Sequence, residues 1–229
     1  MKTKILKPIE TFAGVLLLTL LVACGPAKPT AVEAQDTAAK PAAAPATPAG
    51  AILYTALPTG SKMKIEGTST LHDWTIESSI VAGSLEADAK FPESALTDPK
   101  AAKPIVSVSV PVKSLKSNNK RMDTSTYEYL KQPEFKNIEY RLLELKPKSA
   151  AGDTGPLKFD AVGALTIVGV TRTNTMPVTI EKKDGKLKIV GSTPVKCTDY
   201  GLKPFSYLLI SCGDDLKISF EWLLAPKAP

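Results

Sequence analysis

Period-two alternation of apolar and polar residues is the strongest constraint on this chain. Val106, Val108, Val110 and Val112 are separated by Ser107, Ser109 and Pro111. Met176, Val178 and Ile180 alternate with Pro177 and Thr179, and Leu187 and Ile189 with Lys186 and Lys188. Ile218, Phe220 and Trp222 alternate with Lys217, Ser219 and Glu221. Successive side chains on a strand point to opposite faces, so each run reads as a strand with one apolar and one wet face. Asp184-Gly185, set between lysine-rich flanks, signals a two-residue hairpin turn. Gly83, Gly152, Gly155 and Gly213 mark further turns. One helix is expected, from about Asp123 to Lys131. Asp123 or Ser125 can cap it, Ser125 and Glu128 have capping-box spacing, and Pro133 ends it. Many strands, one short helix and no βαβ alternation predict an all-β antiparallel sheet, closed into a barrel or sandwich that leaves no exposed edge.

The first residues read as a targeting segment. Lys2, Lys4 and Lys7 precede an apolar run from Phe12 to Ala23 that is too short to span a bilayer comfortably. The run ends Leu21-Val22-Ala23-Cys24. This resembles a bacterial lipobox, which implies cleavage before Cys24 and lipid attachment to its thiol. Two or more acyl chains give stable attachment where one gives only reversible binding. Residues 25–50 are mostly Ala, Pro, Thr and Lys and bury too little apolar surface to offset ordering entropy, so they are expected to form a disordered tether. The expected organisation is therefore a signal peptide over 1–23, a lipidated Cys24 with its tether over 24–50, and one folded domain over 51–229.

The formal net charge is +6, and the leader's three lysines and one glutamate leave a net charge near +4 on the remainder. No dense basic patch is interleaved with aromatics, which argues against a nucleic-acid partner. With Cys24 assigned to the anchor, Cys197 and Cys212 remain. In an oxidising compartment such a pair predicts a disulfide, closing a loop worth about 3 kcal/mol on the chain-entropy model. Two packed free thiols are the alternative, since geometry decides. A single histidine, His72, with no cluster of metal-ligand spacing, predicts no metal site. No cofactor is expected.

Motifs follow in a recognisable order. Ile65-Glu66-Gly67-Thr68-Ser69-Thr70-Leu71-His72-Asp73-Trp74 opens the domain. Val110-Pro111-Val112-Lys113-Ser114-Leu115, Arg121-Met122-Asp123 and Pro133-Glu134-Phe135-Lys136-Asn137-Ile138 come next. Phe159-Asp160-Ala161-Val162-Gly163-Ala164-Leu165-Thr166-Ile167-Val168-Gly169-Val170-Thr171-Arg172 leads to Met176-Pro177-Val178, and Asp199-Tyr200-Gly201 and Gly213-Asp214-Asp215-Leu216-Lys217-Ile218 close the set. This order resembles the YceI-like family of periplasmic, polyisoprenoid-binding proteins over nearly all of 51–229. The resemblance implies an extended, lipocalin-like antiparallel barrel of about eight strands with one or two short helices, and a long apolar tunnel that holds an isoprenoid chain. Cys197, Cys212, the anchor and its tether depart from the general pattern.

An eight-stranded barrel can be packed solid or can hold one small ligand, and alternation alone fits both. The candidate tunnel-lining residues are Val106, Val108, Val110, Phe159, Ala161, Leu165, Ile167, Met176, Val178, Phe220 and Trp222. His72 and Asp73, as strand neighbours, should face opposite sides and not share a proton, whereas His72 and Trp74 should share a face at the barrel mouth. Arg172, after the Gly169-Val170-Thr171 turn, is a candidate for pairing with a headgroup phosphate, or a solvated turn residue. Asn118, Asn119, Lys120 and Arg121 form a polar loop, a lid or a plain connection. No nucleophile has a recognisable catalytic setting, so no enzymatic activity is expected. The expected function is an envelope lipoprotein that shelters a long apolar ligand (a polyisoprenoid, quinone or related lipid). The alternative is a non-catalytic structural module with a solid core. Gly25 after Cys24 resembles an outer-membrane sorting pattern, which places the domain on the periplasmic face.

Overall fold

The computed structural model describes residues 50–227; the leader, Cys24 and residues 25–49 of the tether lie outside the described residues. The strands are β1 (Ile52–Ala56), β2 (Lys62–Ser69), β3 (Trp74–Ser78), β4 (Ala82–Ala87), β5 (Ile105–Pro111), β6 (Asn137–Pro147), β7 (Leu157–Ile167), β8 (Val170–Lys183), β9 (Lys186–Lys196), β10 (Ser206–Tyr207) and β11 (Ile210–Pro226). Pairing runs β1-β4-β5-β6-β7-β8-β9-β11, and β11 returns to β1, so eight antiparallel strands close a ring. β11 continues past β1 to pair with β2, which forms a hairpin with β3. A bridge between Glu77 and Lys116 ties β3 to the chain beyond β5. The expected all-β, closed antiparallel barrel is the observed fold.

The alternation read from the sequence sets the interior. In β7, Leu157, Phe159, Ala161, Gly163, Leu165 and Ile167 are buried while the residues alternating with them are not. Asp184 and Gly185 adopt φ of 51° and 72° and join β8 to β9, the left-handed pair that a two-residue hairpin requires. The same geometry recurs at Val168 and Gly169, with φ of 48° and 74°. This differs from the expected turn: Ile167 pairs directly with Val170, so Arg172 lies within β8 and not after a turn.

The helix also differs in its start. α3 spans Lys120–Tyr129, and Asn119 is its cap, accepting from the N–H groups of Arg121 (3.0 Å) and Met122 (3.3 Å). Asn119 is extended, as a cap must be, and satisfies two otherwise orphan donors. Asp123 turns back instead, accepting from the N–H and Oγ of Ser117 at 2.8 and 2.7 Å. Two single-turn helices, α1 (Ser94–Thr97) and α2 (Pro99–Ala102), connect β4 to β5.

These connections close the barrel ends. The α1–α2 segment covers the end where β1 begins. There Phe91 is fully buried, and Lys182 Nζ donates to the carbonyls of Ala89 (2.9 Å) and Phe91 (3.0 Å). At the other end sit α3, a 3₁₀ turn at Thr198–Tyr200 and β10. Tyr129 ties two of these together: its ring meets Phe205 edge-on, and its hydroxyl donates to Lys203 O at 2.8 Å.

Candidate functional site

The interior is not packed solid. A chamber of about 100 Å³ lies between the inward faces of β5, β6, β7, β8, β9 and β11, with Phe91 at one end. Val106, Val108 and Val110 of β5, Ala161 and Leu165 of β7, Met176 and Val178 of β8, and Phe220 and Trp222 of β11 all line it. Phe159 and Ile167, expected beside them, are buried but do not line this chamber. They lie on the same inward parity of β7 and are packed into the wall. Trp222, 1% exposed, is held by its indole N–H, which donates to Val81 O at 3.1 Å. An apolar cavity of this size stays dry and takes up apolar molecules, as an engineered cavity of about 150 Å³ does.

β6 contributes lining residues that sequence reasoning missed: Ile138, Tyr140, Leu142 and Leu145. Alternation suggests the first three. It fails at the fourth because β6 bulges: Leu142 pairs with Gly163, but Glu144 pairs with Val162, the next residue along β7. Leu143 is the extra residue and stays exposed, and the parity flips so that Leu145 turns inward.

Four polar residues interrupt the apolar lining, of which Glu139 is solvent-exposed. Thr193 Oγ1 donates to Pro194 O at 3.3 Å, and Asn174 Oδ1 accepts from the Tyr200 hydroxyl at 3.4 Å. The Tyr140 hydroxyl is enclosed and has no hydrogen-bond partner. Burial pushes its pKa up to about 12. Tyr140 rests on Gly163, where an added Cβ would overlap the phenol ring and its oxygen.

A second chamber of about 330 Å³ lies at the α3 end. Ile65, Trp74, Met122, Tyr129, Leu130, Phe205 and Leu216 supply its apolar walls, with His72, Cys197 and Cys212 among the rest. The two chambers are stacked along the same strands. Met63, Thr193 and Ile218 face the first; Ile65 of β2, Leu216 of β11 and Cys197, the residue after β9, face the second. Val195, between Thr193 and Cys197 in the chain, is buried and lines neither chamber.

His72 lies in the β2–β3 turn and not on a strand, with Nδ1 2.8 Å from Asp73 O. The expected opposition of His72 and Asp73 across a strand therefore does not arise. His72 and Trp74 do share the second chamber, and the Trp74 indole N–H donates to Thr68 O at 3.2 Å. Arg172 lines neither chamber; its Nε donates to Asp199 O at 2.7 Å and steadies the 3₁₀ turn.

The expected disulfide is not formed: Cys197 and Cys212 are free thiols. Register explains this. Cys197 N–H donates to Asp214 O, so Asp214 stands opposite Cys197, while Cys212 lies two residues further along β11 and pairs with Ser69 of β2. Burial raises the pKa of both thiols.

Among the described residues no group of three or more His, Cys, Asp or Glu could hold a metal ion. No described helix is long and apolar enough to cross a membrane.

A closed eight-stranded antiparallel barrel around an apolar, partly hollow interior defines a protein of the lipocalin-like barrel class. The chain belongs to the YceI-like domain family, whose model matches residues 54–223. Among solved structures it is similar to BcnA of Burkholderia cenocepacia, with 18% identity, a TM-score of 0.57, and 72% of this chain and 96% of that one covered. It is also similar to a polyisoprenoid binding domain from Saccharophagus degradans implicated in plant cell wall breakdown (11% identity, TM-score 0.58, 77% and 99% covered). A third is the YCEI protein of Campylobacter jejuni (16% identity, TM-score 0.51, 67% and 85% covered). At these identities the likeness is one of fold. No curated protein matches the chain.

Proposed function

We propose that this protein binds a long apolar ligand, a polyisoprenoid, quinone or related lipid, inside the barrel, and that it does so as a lipoprotein of the bacterial envelope. The observation that carries this reading is the apolar chamber walled by Val108, Leu142, Met176, Phe220 and Trp222 inside the barrel. Burying alkyl surface there contributes about 25 cal/mol per Å². The similarity to a polyisoprenoid binding domain supports the same class of ligand.

The first chamber is smaller than the roughly 300–1,000 Å³ of most ligand pockets. A long chain therefore has to continue into the second chamber, where Trp74, Met122 and Phe205 offer more apolar wall. Cys24, lipidated after cleavage, would hold the domain within a tether's length of the outer membrane on its periplasmic side. The domain would then act as a membrane-proximal binder without catalysis. The membrane, through the anchor, and the apolar ligand are its proposed partners.

Native mass spectrometry of protein purified from its own host tests the reading. A co-purifying apolar mass, lost on solvent extraction and regained with a prenyl compound, is the expected result. A barrel that carries no such mass and takes up no prenyl compound overturns it and favours the structural module with a solid core.

A further inference from the structure

A purely hydrocarbon-binding chamber has no use for a phenol hydroxyl. Phenylalanine would fill the same space without leaving a donor unpaired, and an enclosed, unsatisfied hydroxyl is costly. Tyr140 nevertheless projects its hydroxyl into the enclosed interior with no partner. The ring lies against Gly163, in the space that a side chain on β7 would otherwise take. The other polar residues of the lining behave differently: Thr193 and Asn174 each engage a protein partner, and Glu139 is solvent-exposed.

The chemistry of the vacant donor narrows what it meets. A water molecule needs two to four polar partners, and of the other polar residues of the lining Thr193 and Asn174 are already engaged and Glu139 is solvent-exposed. An anionic headgroup would need a cation, and no lysine or arginine lines this chamber. An alcohol would accept the bond but bring its own proton, which would then be unpaired in turn. A carbonyl accepts and carries no proton. We infer that Tyr140 donates a hydrogen bond to a neutral carbonyl oxygen of the bound apolar chain, so that the barrel favours carbonyl-bearing lipids over plain hydrocarbons. The phenol is protonated at neutral pH, as any tyrosine is, and so is a donor.

This inference rests on the proposal that the barrel holds an apolar ligand, and the experiment separates the two. The full chain is titrated with geranylacetone and with the hydrocarbon of the same skeleton in which a methylene replaces the carbonyl, following the intrinsic fluorescence of Trp74 and Trp222. The expected result is that the ketone binds tighter than the hydrocarbon. Tyr140→Phe is expected to weaken the ketone about tenfold more than it weakens the hydrocarbon, the worth of one hydrogen bond. The carbonyl stretch of the ¹³C-labelled ketone should lie at lower frequency in the wild type than in Tyr140→Phe. Equal ketone affinity in both proteins overturns the role of Tyr140 while leaving the apolar-binding reading intact. Failure of the wild type to bind either probe overturns both.

Discussion

Tyr140 and Gly163 form a single packing unit: the phenol ring of β6 occupies the volume that any Cβ on Gly163 of β7 would take. Gly163 pairs with Leu142 at the bulge and with Asn174 on its other side, so it sits where three strands meet the chamber. A missing side chain in one strand thus determines where the hydroxyl of another is held.

Gly163→Ala should destabilise the barrel by about 1–3 kcal/mol, the usual cost of overpacking. Adding Tyr140→Ala should remove most of that increment, because the overlap is with the ring alone. Urea denaturation of the two single variants and the double variant measures the coupling. Additive losses would show that the two residues do not share space.

Phe91→Ala should cost about 3–5 kcal/mol, the range for a large aromatic removed from a core. Phe91 is fully buried and forms one end of the first chamber, so the same change should let a longer chain enter. The pair of measurements is a denaturation midpoint and the longest prenyl ketone that still binds.

Both thiols should alkylate slowly in the native protein. Burial pushes the pKa of Cys197 and Cys212 up, which lowers the reactive thiolate fraction at neutral pH. Intact mass after alkylation in denaturant should show both modified without prior reduction, and the native rate should climb only in more alkaline solution than for an ordinary thiol. A species that requires a reductant first would restore the disulfide.

Asp123 should make stability depend on pH. Burial alone would raise its pKa, but the Ser117 Oγ and N–H donors and the nearby Lys116 ammonium outweigh it and hold the carboxyl low. A group with a depressed folded-state pKa contributes stability above its unfolded value and loses it as pH falls through the folded one. Asp123→Ala should therefore be less stable than wild type by about 1–2 kcal/mol at neutral pH. The difference should close as pH is lowered from about 5 to about 2. Thermal melts across that range check the sign.

Much of this was legible from local pattern. The alternation in β5, β7, β8, β9 and β11 predicts the all-β class and most of the chamber wall, because side-chain parity is a property of a single strand. Asp184-Gly185 predicts its own hairpin for the same local reason. Where a non-local partner intervenes, pattern reading fails. Asn119, not Asp123, caps α3, since Ser117 claims the Asp123 carboxylate. The β6 bulge reverses parity at Leu145.

The sequence by itself determined the strand class, the Asp184-Gly185 hairpin and the expectation of an anchor at Cys24, whereas Gly83 and Gly213, expected at turns, lie within β4 and β11. It also supplied the order of motifs that marks the family. Only the tertiary structure decided that the apolar faces leave a chamber instead of meeting. A cavity is a shortfall of volume summed over eight strands, and no single strand records it. The same holds for the registers that part Cys197 from Cys212 and for the fit of Tyr140 onto Gly163. Each is a relation between positions brought together only when the barrel closes.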